Sequence, residues 1–419
     1  MGRNLEMILC SKHHAYITPC SGAMALPSLL LHILAWSLTW HALVSAQQCL
    51  TEMMSNGCGM HSNEQICSWE QGLLRSKTMK DYTTCSFVVR DPAFLEILSG
   101  ESKLELVAEA EAHEGGVYNP DDDCFYFSSS SKMHPKPNSE IMKMHLGTGK
   151  VESIVRETEV ANGMTLGKEG ELLVCHQGIR PSGGFIERLN ITTLKSSIIA
   201  DNWHGRRLNS PNDIIIKSDG SIWFTDPDYA WVQGFGEEPE LNNHIYRVSP
   251  TGEVDVVADG FVKPNGLAFS HDEKLLYVTD TGSTIGGEGG KVERGQPYSI
   301  SVMDVGEDGV TLLNKRLFAA IATMVGPSYK GVGCPDGIKV DTTGRVYVAN
   351  PDGVQVISPK GKLLGLIKVP GASNMGFAGK DLNMLIILND KAIYKVGLSA
   401  QGAGLHYASH KLEKSHFFS

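Results

Sequence analysis

Residues 210–226 read SPNDIIIKSDGSIWFTD. Three isoleucines, a Lys-Ser-Asp-Gly-Ser turn and a second run with Trp, Phe and Thr give a strand, a tight turn and a strand, the pattern of a β-hairpin. A polar pair, Asn212 and Asp213, stands directly ahead of the first strand. One Pro-Asn-Asp is only a turn. The phrase recurs, however, as GGVYNPDDDCFYFSS from Gly115, NGMTLGKEGELLVC from Asn162, NGLAFSHDEKLLYVTD from Asn265, DGIKVDTTGRVYVAN from Asp336 and NMGFAGKDLNMLIILN from Asn374. Successive copies are 38 to 71 residues apart, and the intervals hold further strand-like runs such as HIYRVSPTGEVDVVADGF. That leaves room for about four strands per unit, the blade of a β-propeller. Six units predict an all-β chain closed into a six-bladed ring, because closure protects sheet edges that a pair of sandwiches would leave open.

In such a ring the first strand of each unit lines the central channel. Glu114, Asn162, Asn212, Asn265, Asp336 and Asn374 then converge around one mouth, although they are far apart in the chain. A ring of oxygen donors with two acids suits a hard cation, since facing carboxylates repel without one. Asn-Gly and Asp-Gly are also favoured turn dipeptides, and that explanation is preferred for Asn162 and Asn374. Function is preferred for Asn212, Asn265 and Asp336, where prolines at 211, 264 and 335 stiffen the lead-in.

The remainder of the chain bounds the partners. With 419 residues and a formal net charge of −10, it has the size for a large core and no basic stripe for nucleic acid. Residues 24–46, free of charged side chains and ending Val44-Ser45-Ala46, read as a secretory leader, with an uncleaved anchor as the alternative. The expected organisation is a leader at 1–46, a Cys-containing extension at 47–85, the propeller at 86–400 and a tail at 401–419. Cys49, Cys58, Cys67 and Cys85 fit a disulfide-stapled extension, and Asn190-Ile191-Thr192 is a glycosylation sequon. The expected protein is secreted, with no membrane contact once the leader is removed.

The stretches AHEGGVYNP, LNSPNDIIIKSDGSIWFTDPDY, KPNGLAFSHDEKLLYVTDTG and CPDGIKVDTTGRVYVANPDGVQVISP together resemble the SMP-30/gluconolactonase/LRE-like family, especially its fungal and bacterial gluconolactonase and lactonohydrolase branch. The resemblance implies a six-bladed propeller that hydrolyses sugar-derived lactones with a calcium or zinc ion in its channel. It implies Glu114, Asn265 and Asp336 as metal ligands, with Asn212 contacting the attacking water or the substrate. Two departures stand out: Glu-Gly-Gly at 114–116 where Glu-Gly-Pro is common, and Ser210 where the regucalcin-like branch has a substrate-binding arginine.

An all-oxygen donor set favours Ca²⁺ over Zn²⁺. Asp336 is the candidate to act on water, Asp213 an outer carboxylate able to share that task, and His176 and Tyr229 candidate substrate contacts. No Gly-x-Ser-x-Gly elbow occurs, so a serine nucleophile has no support. A broader esterase or phosphotriesterase on the same site and a non-catalytic ligand-binding propeller are the rival functions.

Overall fold

The computed structural model describes residues 65–70, 73–78, 86–283, 295–321 and 334–404. The leader at 1–46, the side chains of the four N-terminal cysteines, most of the long loop after Thr281 and the chain beyond Gly404 lie outside the described residues.

Six antiparallel sheets of four or five strands follow one another along the chain. The first blade runs Glu114–Asn119, Cys124–Ser128, Ile141–His145 and Val151–Val155, and the second runs Ala161–Leu166, Leu172–His176, Phe185–Leu189 and Ser196–Ala200. The third blade is the quoted hairpin, Ile214–Ile216 with Ile222–Asp226, extended by His244–Val248 and Val254–Ala258. The fourth begins at Pro264–Phe269 and the fifth at Ile338–Val340. The chain is thus an all-β six-bladed propeller. Apolar residues from facing blades form its core, for example Phe224 with Cys175 and Ile186, and Tyr347 with Met375 and Leu385.

The ring closes through strands that precede the first repeat. Leu104–Glu109 pairs with Ala392–Gly397 as the outer strand of the sixth blade, and Phe87–Val89 adds a fifth strand to the fifth blade. The sixth repeat is short for this reason: its fourth strand comes from the other end of the sheet order, so the ends of the propeller hold each other.

The polar phrase proves to be a joint between blades. Gly163, just after Asn162, packs so closely that a Cβ there would sit 2.4 Å from the Asn212 carbonyl of the third blade. A Cβ on Gly337, just after Asp336, would sit 2.5 Å from Asn374 Cγ. These glycines are required for close approach, and Gly163 N–H donates to Asn212 O at 2.8 Å. Hydroxyls of the second strands tighten the same joint. Thr225 Oγ1 donates to Asn265 O at 2.7 Å, and Thr279 Oγ1 donates to Asp336 O at 2.9 Å.

The strand-end carboxylates then hold the lead-in loops. Asp226 Oδ2 accepts from Asn209 N at 2.9 Å, folding the end of the quoted stretch back onto its beginning. Asp280 does the same for Val262 and Lys263 N–H in the fourth blade. The inner-strand ladders break register between Glu114 and Val117 and between Pro264 and Leu267, so Glu114 and Asn265 are aimed away from the regular pleat.

Gly163→Ala should therefore lower stability by about 1–3 kcal/mol, because the opposing atom is backbone and cannot rotate away. Chemical denaturation of the variant checks this; an unchanged midpoint would show that the second and third blades need no such approach.

Candidate active site

The six polar residues ahead of the inner strands do converge at one mouth of the channel. Asn374 Nδ2 donates to Glu114 Oε2, joining the sixth blade to the first. Asn162 Nδ2 donates to Asn212 O at 3.0 Å, joining the second blade to the third. Neither asparagine is a turn residue: Asn162 lies inside the strand Ala161–Leu166 and Asn374 opens the strand Asn374–Ala378, both buried. Both amide nitrogens reach across to a neighbouring blade, although Asn374 Oδ1 also accepts from Met375 N at 2.7 Å, so neither residue is explained by turn chemistry alone.

Two carboxyls meet in this ring. Glu114 is 1% exposed, and burial, with the nearby negative charges of Asp336 and Asp213, holds its carboxyl well above the usual range. Burial also raises Asp336, to about 6, against the opposing pull of His113 and a contact with Glu114. Asn212 Oδ1 and Asn265 Oδ1, on residues only 4% and 5% exposed, are buried acceptors with no hydrogen-bond partner among the described residues. Unpaired buried acceptors beside carboxyls that resist ionisation fit a site that takes up positive charge.

No group of three His, Cys, Asp or Glu able to hold a metal occurs among the described residues. The donors here are instead two carboxylates supplemented by amide oxygens, a set that suits a hard divalent cation. Glu114, Asn265 and Asp336 are the residues that would hold it.

The other expected residues divide. Tyr229, at the start of the short helix Tyr229–Val232, reaches the ring: its hydroxyl accepts from Asn265 Nδ2 at 3.3 Å. Burial, with Cys334 and Asp336 nearby, keeps its hydroxyl protonated far above the ordinary range. Asp213 is placed deeper, where its oxygens accept from Ile214 N at 2.9 Å and Leu267 N at 3.4 Å. His176 is bonded through Nε2 to Glu187 at 3.0 Å and stacks on Phe185 at 4.4 Å, both in the third strand of its blade. Its partners are therefore outside the ring. Ser210 is fully buried, and its hydroxyl donates to Pro227 O.

One pair escaped the sequence reading. His113 Nδ1 lies 2.6 Å from Asp390 Oδ1, and Ser130 Oγ also donates to that carboxylate, at 3.1 Å. Burial disfavours the His113 cation, but the bond to Asp390 and the charge of Asp336 outweigh it and raise the imidazole above its ordinary value. The available signal was the histidine directly before Glu114. Its carboxylate partner is 277 residues away in the chain and meets it only through ring closure.

Residues 112–389 match the SMP-30/Gluconolactonase/LRE-like region. A gluconolactonase from Zymomonas mobilis is 32% identical over 231 residues, covering 54% of this chain and 60% of that protein. The lactonohydrolase oryL of Aspergillus oryzae is 30% identical over 233 residues, covering 51% of this chain and 50% of that one. The chain thus spans half to three-fifths of the length of these curated relatives. Among solved structures, a gluconolactonase from Xanthomonas campestris superposes with a TM-score of 0.62 at 28% identity, covering 75% of this chain and 95% of that one. A calcium-binding protein, regucalcin, from Agrobacterium tumefaciens shares the fold, with a TM-score of 0.54 at 16% identity, covering 72% of this chain and 95% of that one.

The raised carboxyls carry a definite sign for stability. Glu114 and Asp336 bind protons more tightly folded than unfolded, so their contribution is favourable at low pH and is lost as pH rises from about 4 through the folded value of about 6 for Asp336. In chelator, Asp336→Asn should be more stable than the parent by about 1–3 kcal/mol near pH 7, and the gap should close near pH 4. Thermal melts of both proteins with EDTA decide it; a variant less stable at neutral pH would contradict a ring that lacks positive charge.

Proposed function

The chain belongs to the SMP-30/Gluconolactonase/LRE-like family, and from that premise we propose that it is a secreted lactonase that hydrolyses sugar-derived lactones at the ring of Glu114, Asn212, Asn265 and Asp336. The observation that carries the reading is the pair of buried, unpartnered amide oxygens, Asn212 Oδ1 and Asn265 Oδ1, beside two carboxyls that burial keeps from ionising freely. When bound, a divalent cation, Ca²⁺ in preference to Zn²⁺, polarises the ester carbonyl and stabilises the negative charge that develops on its oxygen.

The chain's own groups do the rest. Asp336 accepts the proton of the attacking water, and Asn212 Oδ1 orients that water or the ring oxygen of the substrate. The His113–Asp390 pair is a second acceptor beside Asp336, since a histidine whose Nδ1 proton is held by a carboxylate presents Nε2 as a base. Tyr229 contributes an aromatic wall and a hydroxyl already fixed by Asn265. Asp213 has both oxygens engaged by backbone N–H groups, so its part is to hold the ring. His176 is assigned to packing, on account of its partners Glu187 and Phe185.

Mutation separates these roles. Asp336→Asn keeps an oxygen donor of similar size but removes a proton acceptor, so kcat on an aldonolactone should fall about 10² to 10⁴-fold even at saturating Ca²⁺. Asn265→Ala should weaken Ca²⁺ affinity and recover activity at high Ca²⁺. Full rescue of Asp336→Asn by Ca²⁺ would transfer the base role to His113, whereas a parent protein inactive on every lactone while holding Ca²⁺ would leave a binding propeller.

Secretion has its own test. Expressed in a eukaryotic secretory host, the product should lack residues 1–46 and carry glycan on Asn190, which is exposed on a turn where its Oδ1 caps Thr192 and Thr193 N–H. Intact mass analysis showing a chain that starts at Met1 would favour a membrane anchor.

A further inference from the structure

The channel has a second chamber behind the ring. Beyond the ring positions, the inner strands of the blades line a cavity of about 390 Å³ that includes Met164, Ile216, Phe269 and Phe377 in its wall. None of the six ring residues lines it. Its size falls in the range of small-molecule sites, and its wall is more apolar than polar, with the charged groups Glu273, Lys339 and Lys380 among the lining.

Two polar groups in this chamber lack protein partners. Lys339 lines it, half-buried, and its ammonium has no hydrogen bond or ion pair among the described residues. The acid it influences is Asp213, whose oxygens are already engaged by backbone N–H groups on the ring side. Thr165 is buried, lines the same chamber, and its hydroxyl makes no hydrogen bond among the described residues. At the rim, Lys380 is exposed, whereas Glu273 is occupied by Ser218 and by Lys217 at 3.4 Å. The charge available to a visitor is therefore positive, set in an apolar wall.

We propose that this rear chamber is a binding site for a small amphiphilic monocarboxylate, with the carboxylate against Lys339 and Thr165 and the apolar body along the partly exposed Ile216, Phe269 and Phe377. A neutral apolar ligand would leave the ammonium unpaired, and a purely polar anion would leave the apolar wall wet, so only a molecule with both parts satisfies the lining. The proposal stands apart from lactone hydrolysis, because its residues are not those of the ring.

Calorimetric titration of the full chain with octanoate and with octan-1-ol tests it. Octanoate should bind, and Lys339→Met should weaken octanoate at least about tenfold while leaving octanol binding nearly unchanged. Asp336→Asn should leave octanoate binding intact, with or without Ca²⁺. In a sample with ¹³C-labelled methyl groups, bound octanoate should show contacts to Ile215 and Ile216, a readout that does not depend on the lysine variant folding. Absence of octanoate binding overturns the proposal. So does equal affinity in Lys339→Met, or binding that requires Ca²⁺ and vanishes in Asp336→Asn, which would put the anion at the front ring.

Discussion

The propeller depends on how closely its blades approach the axis. At the mouth where the ring lies, the backbone of one blade touches the ring residue of the next, and a single added carbon at Gly163 or Gly337 has no room. The Thr225 and Thr279 hydroxyls lock the same contact from the second strand, each donating to the ring carbonyl of the following blade. Polar side chains that would be costly to bury alone are thereby packed shoulder to shoulder, partnered both by backbone and by one another. The ring is a by-product of closure as much as a device added to it: wherever blades meet this tightly, the residue ahead of each inner strand must point into the channel.

That arrangement sets the electrostatics. Six blades bring Glu114 and Asp336 together, and no basic side chain among the described residues is bonded to both. His113 draws the Asp336 carboxyl downward, and Asp390 bonds the imidazole at Nδ1. The pair of acids therefore resists ionisation, and two amide oxygens remain without donors. A structure optimised only for stability would pair these groups or replace them with apolar ones. Their retention in an unpaired state is the physical argument that the mouth was built for something that binds there.

The two halves of the channel differ because the inner strands change character along their length. Ring positions carry Asn, Asp and Glu, whereas two residues further on come Met164, Ile214 and Leu267. Asp213 sits at the boundary, tied to the inner strand of the fourth blade through Leu267 N–H. Its buried carboxyl is raised by desolvation and drawn back by Lys339 from the rear side. One channel thus offers a hard, oxygen-lined front and an apolar rear with a single inner lysine.

The repeated hairpin phrase is local, so the sequence alone determined the all-β class, the number of blades and the identity of the ring residues: alternation and turn chemistry act over a few residues, and six copies multiply a weak signal. The motifs around Glu114, Asn265 and Asp336 likewise marked the family without coordinates. What sequence could not decide was anything set by contacts between blades. Asn162 and Asn374 looked like turn residues because polar dipeptides such as Asn-Gly are turn-like locally; only packing against the next blade gives their amides Asn212 O and Glu114 to hold. His176 looked promising from its place after a repeat, but the pairing of its strand directs it to Glu187. His113 and Asp390 became a pair only when Leu104–Glu109 completed the last blade and brought the two ends of the propeller together, a contact whose sequence separation carries no local signature.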